Sequence, residues 1–161
     1  MSESIAPIIL ALVVIAFFYL RTSLSSDIAK ENIQIGHEFL EVNKSIDGVK
    51  ETSTGLQYQV LIKGHGKQHP TIRDRVKVHY HGKLLDDTVF DSSIDRNETA
   101  SFNLKQVISG WREGVQLMVV GEKTRFFIPS KLAYGNQSNG KIKAGSLLII
   151  EVELLSINED N

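Results

Sequence analysis

Four segments of the chain alternate apolar and polar residues with a period of two, and this alternation limits the fold more than any other feature. In the longest, which runs from Leu147 to Leu155, Leu148, Ile150, Val152 and Leu154 share one side while Glu151 and Glu153 share the other. Residues 56–62, 76–81 and 124–128 alternate in the same way. The pattern is typical of antiparallel strands with one buried face. Residues typical of turns punctuate the segments: Gly64, Gly66, Gly82, Asp86, Asp87, Gly121 and Gly135.

One helical pattern lies between the strands. Residues 107–118 carry Ile108, Trp111, Val115 and Met118 at helical spacing. Strands combined with a single short helix predict an α+β domain, in which an antiparallel sheet wraps over that helix. We assign this domain to residues 51–157 and leave residues 158–161 as a short tail.

The N-terminal segment Ser4–Leu20 has no charged residue between Glu3 and Arg21. As a helix it would be roughly 25 Å long, at the short end of what spans a bilayer. A membrane anchor, a cleaved signal peptide and a buried core helix are the alternatives. The segment lacks the basic start of a signal peptide and the polar stripe of a core helix, so we interpret residues 4–20 as a transmembrane anchor.

Residues 21–50 predict a linker helix that begins at Ser26 or Asp27 and ends near Asn43 or Lys44. Ile28, Ile35 and Val42 recur every seven residues. Two readings of this stripe remain open. In the first, the helix packs on its own domain or simply separates that domain from the membrane. In the second, the stripe forms the seam of a homodimer.

Composition and motifs exclude several functions. The formal net charge is -1, which does not indicate nucleic-acid binding, and the chain has no cysteine for disulfides or thiolate chemistry. His79 and His81 lie two residues apart without a third ligand at a recognisable spacing, so we predict no metal site. Ser92 and Ser93 lack the surroundings of a hydrolase nucleophile. We therefore predict no cofactor.

From periodicity alone, the dispersed aromatic residues are predicted to belong to the hydrophobic core. Five sequence motifs indicate a different role for them. The motifs are Val78–Gly82 (VHYHG), Phe90–Arg96 (FDSSIDR), Val107–Gly114 (VISGWREG), Ile128–Gly135 (IPSKLAYG) and Val152–Leu155 (VELL). In order and spacing they resemble the FKBP family of peptidyl-prolyl cis-trans isomerases. Residues 36–44 and 54–58 are similar to the lead-in of its bacterial macrophage-infectivity-potentiator-like members.

The resemblance implies an apolar pocket that binds proline. Trp111 would form its floor, and the other substrate-binding residues would be Tyr80, Phe90, Phe102, Val107 and Ile142. Asp91, the Tyr134 hydroxyl and the Ile108 N–H would supply the polar groups of catalysis, and Arg96 would hold Asp91. The sequence departs from the family where Ala100 and Ile150 replace aromatic residues, and in the basic, proline-free loop after Tyr134.

The resemblance also implies a function and its partners. The chain would accelerate rotation about X–Pro bonds in unfolded or proline-containing polypeptides during protein folding. The alternative is a membrane-tethered chaperone or peptide-binding module with little turnover. A macrolide is a further candidate ligand, expected to bind weakly because of Ala100 and Ile150. The relatives favour a bacterial inner-membrane protein with a periplasmic domain, whereas Arg21 after the span and Glu3 before it favour a cytoplasmic domain.

Overall fold

The computed structural model describes residues 6–158, including the side chains except those of residues 6–10 and Arg21. The first two residues of the proposed anchor, Ser4 and Ile5, and residues 159–161 of the tail therefore lie outside the described part. The elements, in chain order, are α1 (Ala6–Asn43), β1 (Val49–Glu51), β2 (Gln57–Ile62), β3 (Arg75–Lys83), β4 (Val89–Ser92), β5 (Ala100–Asn103), α2 (Ser109–Val115), β6 (Lys123–Ile128) and β7 (Leu148–Ile157).

The strands form one antiparallel sheet in the order β1-β2-β6-β7-β3-β4, and β5 pairs with β3. The predicted alternation is confirmed in β7, where Leu148, Ile150, Val152 and Leu154 are buried. These side chains pack with Val115 and Met118, so α2 lies over the inner face of the sheet. The predicted α+β architecture is confirmed.

Strand β2 departs from the predicted alternation. Val60 and Ile62 are 39% and 57% exposed, whereas Gln57 is fully buried. The register shifts between Val60 and Ile62, and the end of α1 covers the first half of the strand instead. The Gln57 side-chain amide donates to the Leu40 carbonyl at 2.9 Å and accepts from Asn43 at 2.9 Å, so its burial is compensated by hydrogen bonds.

Gly82 is not the turn that the sequence predicts, because it lies buried within β3. A Cβ at this position would lie 2.5 Å from the Phe90 ring. The glycine therefore makes room for an aromatic side chain on the neighbouring strand. The turn predicted at Asp86 and Asp87 is present, and Asp87 adopts a positive φ of 64° there.

Helix α1 continues through the predicted start of the linker helix at Ser26 or Asp27. No glycine or proline occurs between Pro7 and Gly36, so nothing interrupts its backbone hydrogen bonding. The helix ends at Asn43, as predicted.

The second half of α1 packs on the domain through Ala29, Gly36, Leu40 and Asn43, which are all buried. This agrees with the reading in which the helix packs on its own domain. The heptad residues lie on another face and are exposed: Ile28, Ile35 and Val42.

The apolar first half of α1 does not form part of the core. Its described side chains, such as those of Phe17 and Phe18, are exposed, and no residue of its most apolar window is buried. The core-helix reading of this segment is therefore wrong. The helix is long enough to span a membrane, and its most apolar window has a mean hydropathy of 1.4. A signal sequence would share these properties.

Candidate active site

Three aromatic rings from different elements meet at one place on the inner face of the sheet. Tyr80 of β3, Phe102 of β5 and Trp111 of α2 have ring centroids 5.2 to 5.6 Å apart, and each pair is arranged edge to face. This arrangement is the favourable one for aromatic quadrupoles. Trp111 is 7% exposed and its indole N–H has no acceptor among the described residues. The cluster therefore offers a closely packed aromatic surface.

This surface lines an open cleft of about 500 Å³. Nine side chains or backbone groups singled out from the sequence line it: Tyr80, Phe90, Asp91, Phe102, Val107, Ile108, Trp111, Tyr134 and Ile142. Arg96 lies outside the lining and contacts it through Asp91 and Tyr80. Ile150 lines the cleft as expected, whereas Ala100 pairs with Val78 in the sheet and is not part of the lining.

The polar edge of the cleft is a compact network. The Tyr80 hydroxyl donates to one carboxylate oxygen of Asp91, and the Arg96 guanidinium donates to the other. A second Arg96 nitrogen donates to the Tyr80 oxygen at 3.0 Å. Each of the three side chains is thus held by the other two. Arg96 thus contacts the carboxylate that the resemblance implied it would hold.

The network also holds Asp91 and Tyr80 in defined protonation states. Partial burial acts to raise the pKa of Asp91, but the hydrogen bonds from Tyr80 and Arg96 outweigh it and hold that pKa below its usual range. Burial and the Asp91 carboxylate raise the pKa of Tyr80. At neutral pH the carboxylate is therefore ionised and the phenol protonated, so Tyr80 is the donor of the pair.

We expect the stability contributed by Asp91 to depend on pH. Because the folded-state pKa is lowered, the contribution is present above about pH 4, the ordinary range of Asp, and is lost as pH falls through the folded value. Urea unfolding of the wild type and of Asp91→Asn between about pH 2 and pH 7 measures it. The difference in unfolding free energy should grow with pH up to about pH 5 and then stay constant. A constant difference over the whole range would contradict the lowered pKa.

Two further polar groups at the cleft have no hydrogen-bond partner among residues 6–158. The Ile108 N–H, at the start of α2, has no hydrogen-bond acceptor among residues 6–158. The Tyr134 hydroxyl, on the loop after β6, likewise makes no hydrogen bond within that part of the chain. Ile108 and Tyr134 both line the cleft. A bound carbonyl could accept from either.

The sequence reasoning missed five lining residues. They are Gln106, Asn139, Gly140, Lys141 and Leu148. Leu148 lies on the buried side of β7. The alternating sequence pattern predicted this face correctly but did not predict that Leu148 lines the cleft. Asn139, Gly140 and Lys141 lie on a loop, and Gln106 ends a single turn of 3-10 helix, Leu104–Gln106; both are too short or irregular for a periodicity that would predict the direction of a side chain.

A second concavity, of about 560 Å³, lies between α1 and the loops around Lys131 and Gly145. Its lining contains no Phe, Tyr or Trp side chain, and none of the predicted site residues contributes to it. An apolar aromatic wall is what a proline ring requires, so we place the candidate active site in the smaller cleft.

An antiparallel sheet wrapped over one short helix, with an aromatic cleft between them, defines the class of the protein. The family model described as FKBP-type peptidyl-prolyl cis-trans isomerase matches residues 66–155, and the model for the domain amino-terminal to it matches residues 15–60. The chain belongs to the FKBP-type peptidyl-prolyl cis-trans isomerase family.

Individual relatives agree with this assignment. The chain is 55% identical over 131 residues to the FKBP-type isomerase FkpA of Aeromonas hydrophila, covering 81% of this chain and 48% of the relative. It is 43% identical over 129 residues to the isomerase Mip of Coxiella burnetii, covering 80% and 56%. The crystal structure of FkpA from Escherichia coli superposes with a TM-score of 0.85 at 36% identity, covering 97% of this chain and 74% of that one. The chain thus spans about half the length of the curated relatives it matches.

Proposed function

We propose that this chain is a peptidyl-prolyl cis-trans isomerase that accelerates X–Pro rotation in unfolded polypeptides. The observation that carries the proposal is the cleft in which Tyr80, Phe102 and Trp111 enclose an apolar space beside the Asp91 carboxylate. Family membership supports it. The proposed substrates are proline-containing segments, with the proline ring against Trp111 and the preceding carbonyl near the Ile108 N–H.

The chemistry of such a cleft follows from the electronic structure of the amide. Resonance opposes rotation with a barrier of roughly 18–20 kcal/mol for a peptide bond, and uncatalysed X–Pro exchange takes tens to hundreds of seconds. The twisted transition state loses this conjugation and its carbonyl is less dipolar, so water stabilises it less than the planar ground state. A cleft that excludes water therefore favours the twisted form. Each ~1.4 kcal/mol of this preference increases the rate tenfold. The rotation requires neither a nucleophile nor a metal.

A proline-peptide exchange assay tests the proposal with the full chain in detergent micelles. We expect the wild type to accelerate cis–trans exchange, and Tyr134→Phe to lower kcat severalfold while the ring and the fold are retained. Tyr58→Phe, a change to a half-buried tyrosine outside the cleft, is the matched control. An exchange rate equal to the uncatalysed rate would show that the chain is not an isomerase.

The second candidate is a chaperone or binding module that holds unfolded segments with little turnover. The exposed side chains of Val60, Leu61 and Ile62 favour it, because they form an apolar segment in the half of β2 that pairs with β6 but not with β1. Suppression of aggregation of a proline-free unfolded protein separates the two functions. A chaperone would suppress this aggregation although the unfolded protein contains no proline. The double variant Val60→Ser/Ile62→Ser would then suppress it less, without changing the rate of cis–trans exchange.

We propose that the apolar half of α1 anchors the chain in a bacterial inner membrane and that the domain lies on the periplasmic side. The exposed apolar helix supports the anchor. One relative, at 41% identity, is named outer membrane protein MIP, which supports a location of the domain outside the cytoplasm. Carbonate washing of membranes tests the anchor, since a cleaved or peripheral protein would leave the pellet. Protease added to spheroplasts tests the side: a domain that resists until lysis is cytoplasmic.

We further propose that two copies associate along α1 and that the cleft binds macrolides weakly. The exposed stripe of Ile28, Ile35 and Val42 supports the dimer. Sedimentation in detergent tests it, and a monomer mass would contradict it. The aliphatic side chain of Ile150 in the lining supports weak macrolide binding, and Ile150→Phe should tighten it.

A further inference from the structure

One wall of the cleft is formed by a loop rather than by a strand or a helix. The segment between Tyr134 and Leu148 contributes Asn139, Gly140, Lys141 and Ile142 to the lining, and Ile142 is 5% exposed. The position of this wall therefore depends on whatever holds the loop.

The loop holds part of its own shape. Asn139 and Ile142 exchange two backbone hydrogen bonds of 2.8 Å, and the Gly145 N–H donates to the Gly135 carbonyl at 2.8 Å. The Ala144 N–H donates to the Ser138 hydroxyl at 3.1 Å. These bonds close the loop on itself. They do not fix it against the rest of the domain.

Helix α1 packs on the outer side of this loop. The Asn32 side-chain amide donates to the Ala144 carbonyl at 2.8 Å, in a partly buried contact between positions far apart in the chain. Beside it, Gly145 has a φ of +77°, and a Cβ there would lie 2.2 Å from the Ala29 carbonyl oxygen. Ala29 itself is 2% exposed. The helix backbone thus touches the loop backbone at the point where Asn32 bonds to it.

The contact lies outside the cleft. Asn32 and Ala29 do not line the cleft, whereas Ile142 lies two residues before the carbonyl that Asn32 binds. A second link from outside the loop is the hydrogen bond from Lys141 to the Val89 carbonyl, which is exposed and 3.2 Å long. An exposed bond of this kind competes with water, so of these two hydrogen bonds the one from Asn32 is the stronger restraint, and it adds to the packing of Ile142 in the core.

We propose that Asn32 is a positioning residue for the cleft: through the Ala144 carbonyl it holds the loop so that Ile142 closes the wall against a bound proline. The proposal deepens the isomerase function proposed above and rests on it for its kinetic consequence. It also links the helix that carries the apolar segment to the geometry of the cleft.

The test compares Asn32→Asp with the wild type as full chains in detergent. Aspartate keeps the size of the side chain, but at neutral pH it has no donor for the Ala144 carbonyl. We expect amide hydrogen exchange of residues 139–145 to become about threefold to tenfold faster, as the loss of one hydrogen bond predicts. We expect KM for a proline peptide to rise by a similar factor while kcat changes little, because the wall binds substrate and transition state alike.

Two further variants keep the test decisive. Asn32→Ala removes the same donor without adding a charge, and it carries the test if the aspartate variant unfolds. Gln34→Ala is the matched control, since Gln34 is exposed on the same helix and bonds only to Glu38. A variant with lowered melting temperature but unchanged loop exchange and KM would show a merely structural role and overturn the proposal. If the wild type catalyses nothing, the proposed function fails, and loop exchange still decides whether Asn32 positions the wall.

Discussion

Replacing Asp91 with alanine is expected to slow X–Pro isomerisation by about tenfold to hundredfold, the effect of losing a hydrogen-bonding charged group worth about 1.5–3 kcal/mol. Asp91 orients the Tyr80 hydroxyl and is itself held by Arg96, so its loss leaves the polar edge of the cleft disordered. The cost in stability should be about 1 kcal/mol or less, because the Asp91 side chain is 46% exposed and its ion pair is screened by water.

Exchange rates and urea unfolding of the same preparation check this separation of activity from stability. Glu41→Ala is the matched control: Glu41 also pairs with a cation, Lys44, and its side chain is 52% exposed, but it lies outside the cleft. The control should lose a similar small amount of stability and no activity. An Asp91→Ala protein that unfolds readily, and whose folded fraction turns over normally, would show that Asp91 has only a structural role.

Replacing Phe126 with alanine is expected to lower the free energy of unfolding by about 3–5 kcal/mol, the usual cost of removing a large buried aromatic side chain. Phe126 belongs to β6, is 1% exposed, and directs its ring toward α2. A Cβ at Gly114 of α2 would lie 2.5 Å from its ring, so the helix can approach the sheet only because position 114 has no side chain. Thermal or urea unfolding measures the loss.

A double-mutant cycle sharpens this expectation. Gly114→Ala alone should cost about 1–3 kcal/mol, because the added methyl group overpacks the contact. In the Phe126→Ala background the same change should restore stability, since the methyl group fills part of the cavity and alanine favours the helix. Additive losses would indicate that the ring and the glycine do not meet.

The fold was predictable because its strands carry periodic sequence. The buried face of β7 followed directly from Leu148, Ile150, Val152 and Leu154, and the end of α1 at Asn43 followed from the residues around Gly48. The exceptions have tertiary causes. Gln57 is buried because α1 covers it and supplies partners, and no local pattern announces a helix arriving from elsewhere in the chain. Gly82 was predicted to be a turn because glycine is typical of turns. Its actual role is to leave space for Phe90, a residue on another strand, which no local pattern indicates.

The candidate site was predictable to the extent that the family resemblance carried it. From the sequence pattern alone, the aromatic residues were predicted to belong to the core. Tyr80 and Trp111 do, since both are buried and pack with the core cluster. What the sequence could not disclose was that these buried rings also line an open cleft. The contact between Asn32 and Ala144 joins positions too distant in the chain for any periodicity to relate. The catalytic and binding roles of the lining residues remain predictions for the experiments above.

The position of β7 has a consequence for how the chain itself reaches this structure. β7 pairs with both β3 and β6 near the middle of the sheet, yet it is the last strand in chain order. During vectorial synthesis the two halves of the sheet therefore emerge before the strand that joins them, and the core stays open with unpaired edges until then. Sheets dominated by such distant pairings fold slowly and are exposed to aggregation meanwhile. A protein that we propose to assist the folding of others is thus, while being made, exposed to the same hazard as its clients.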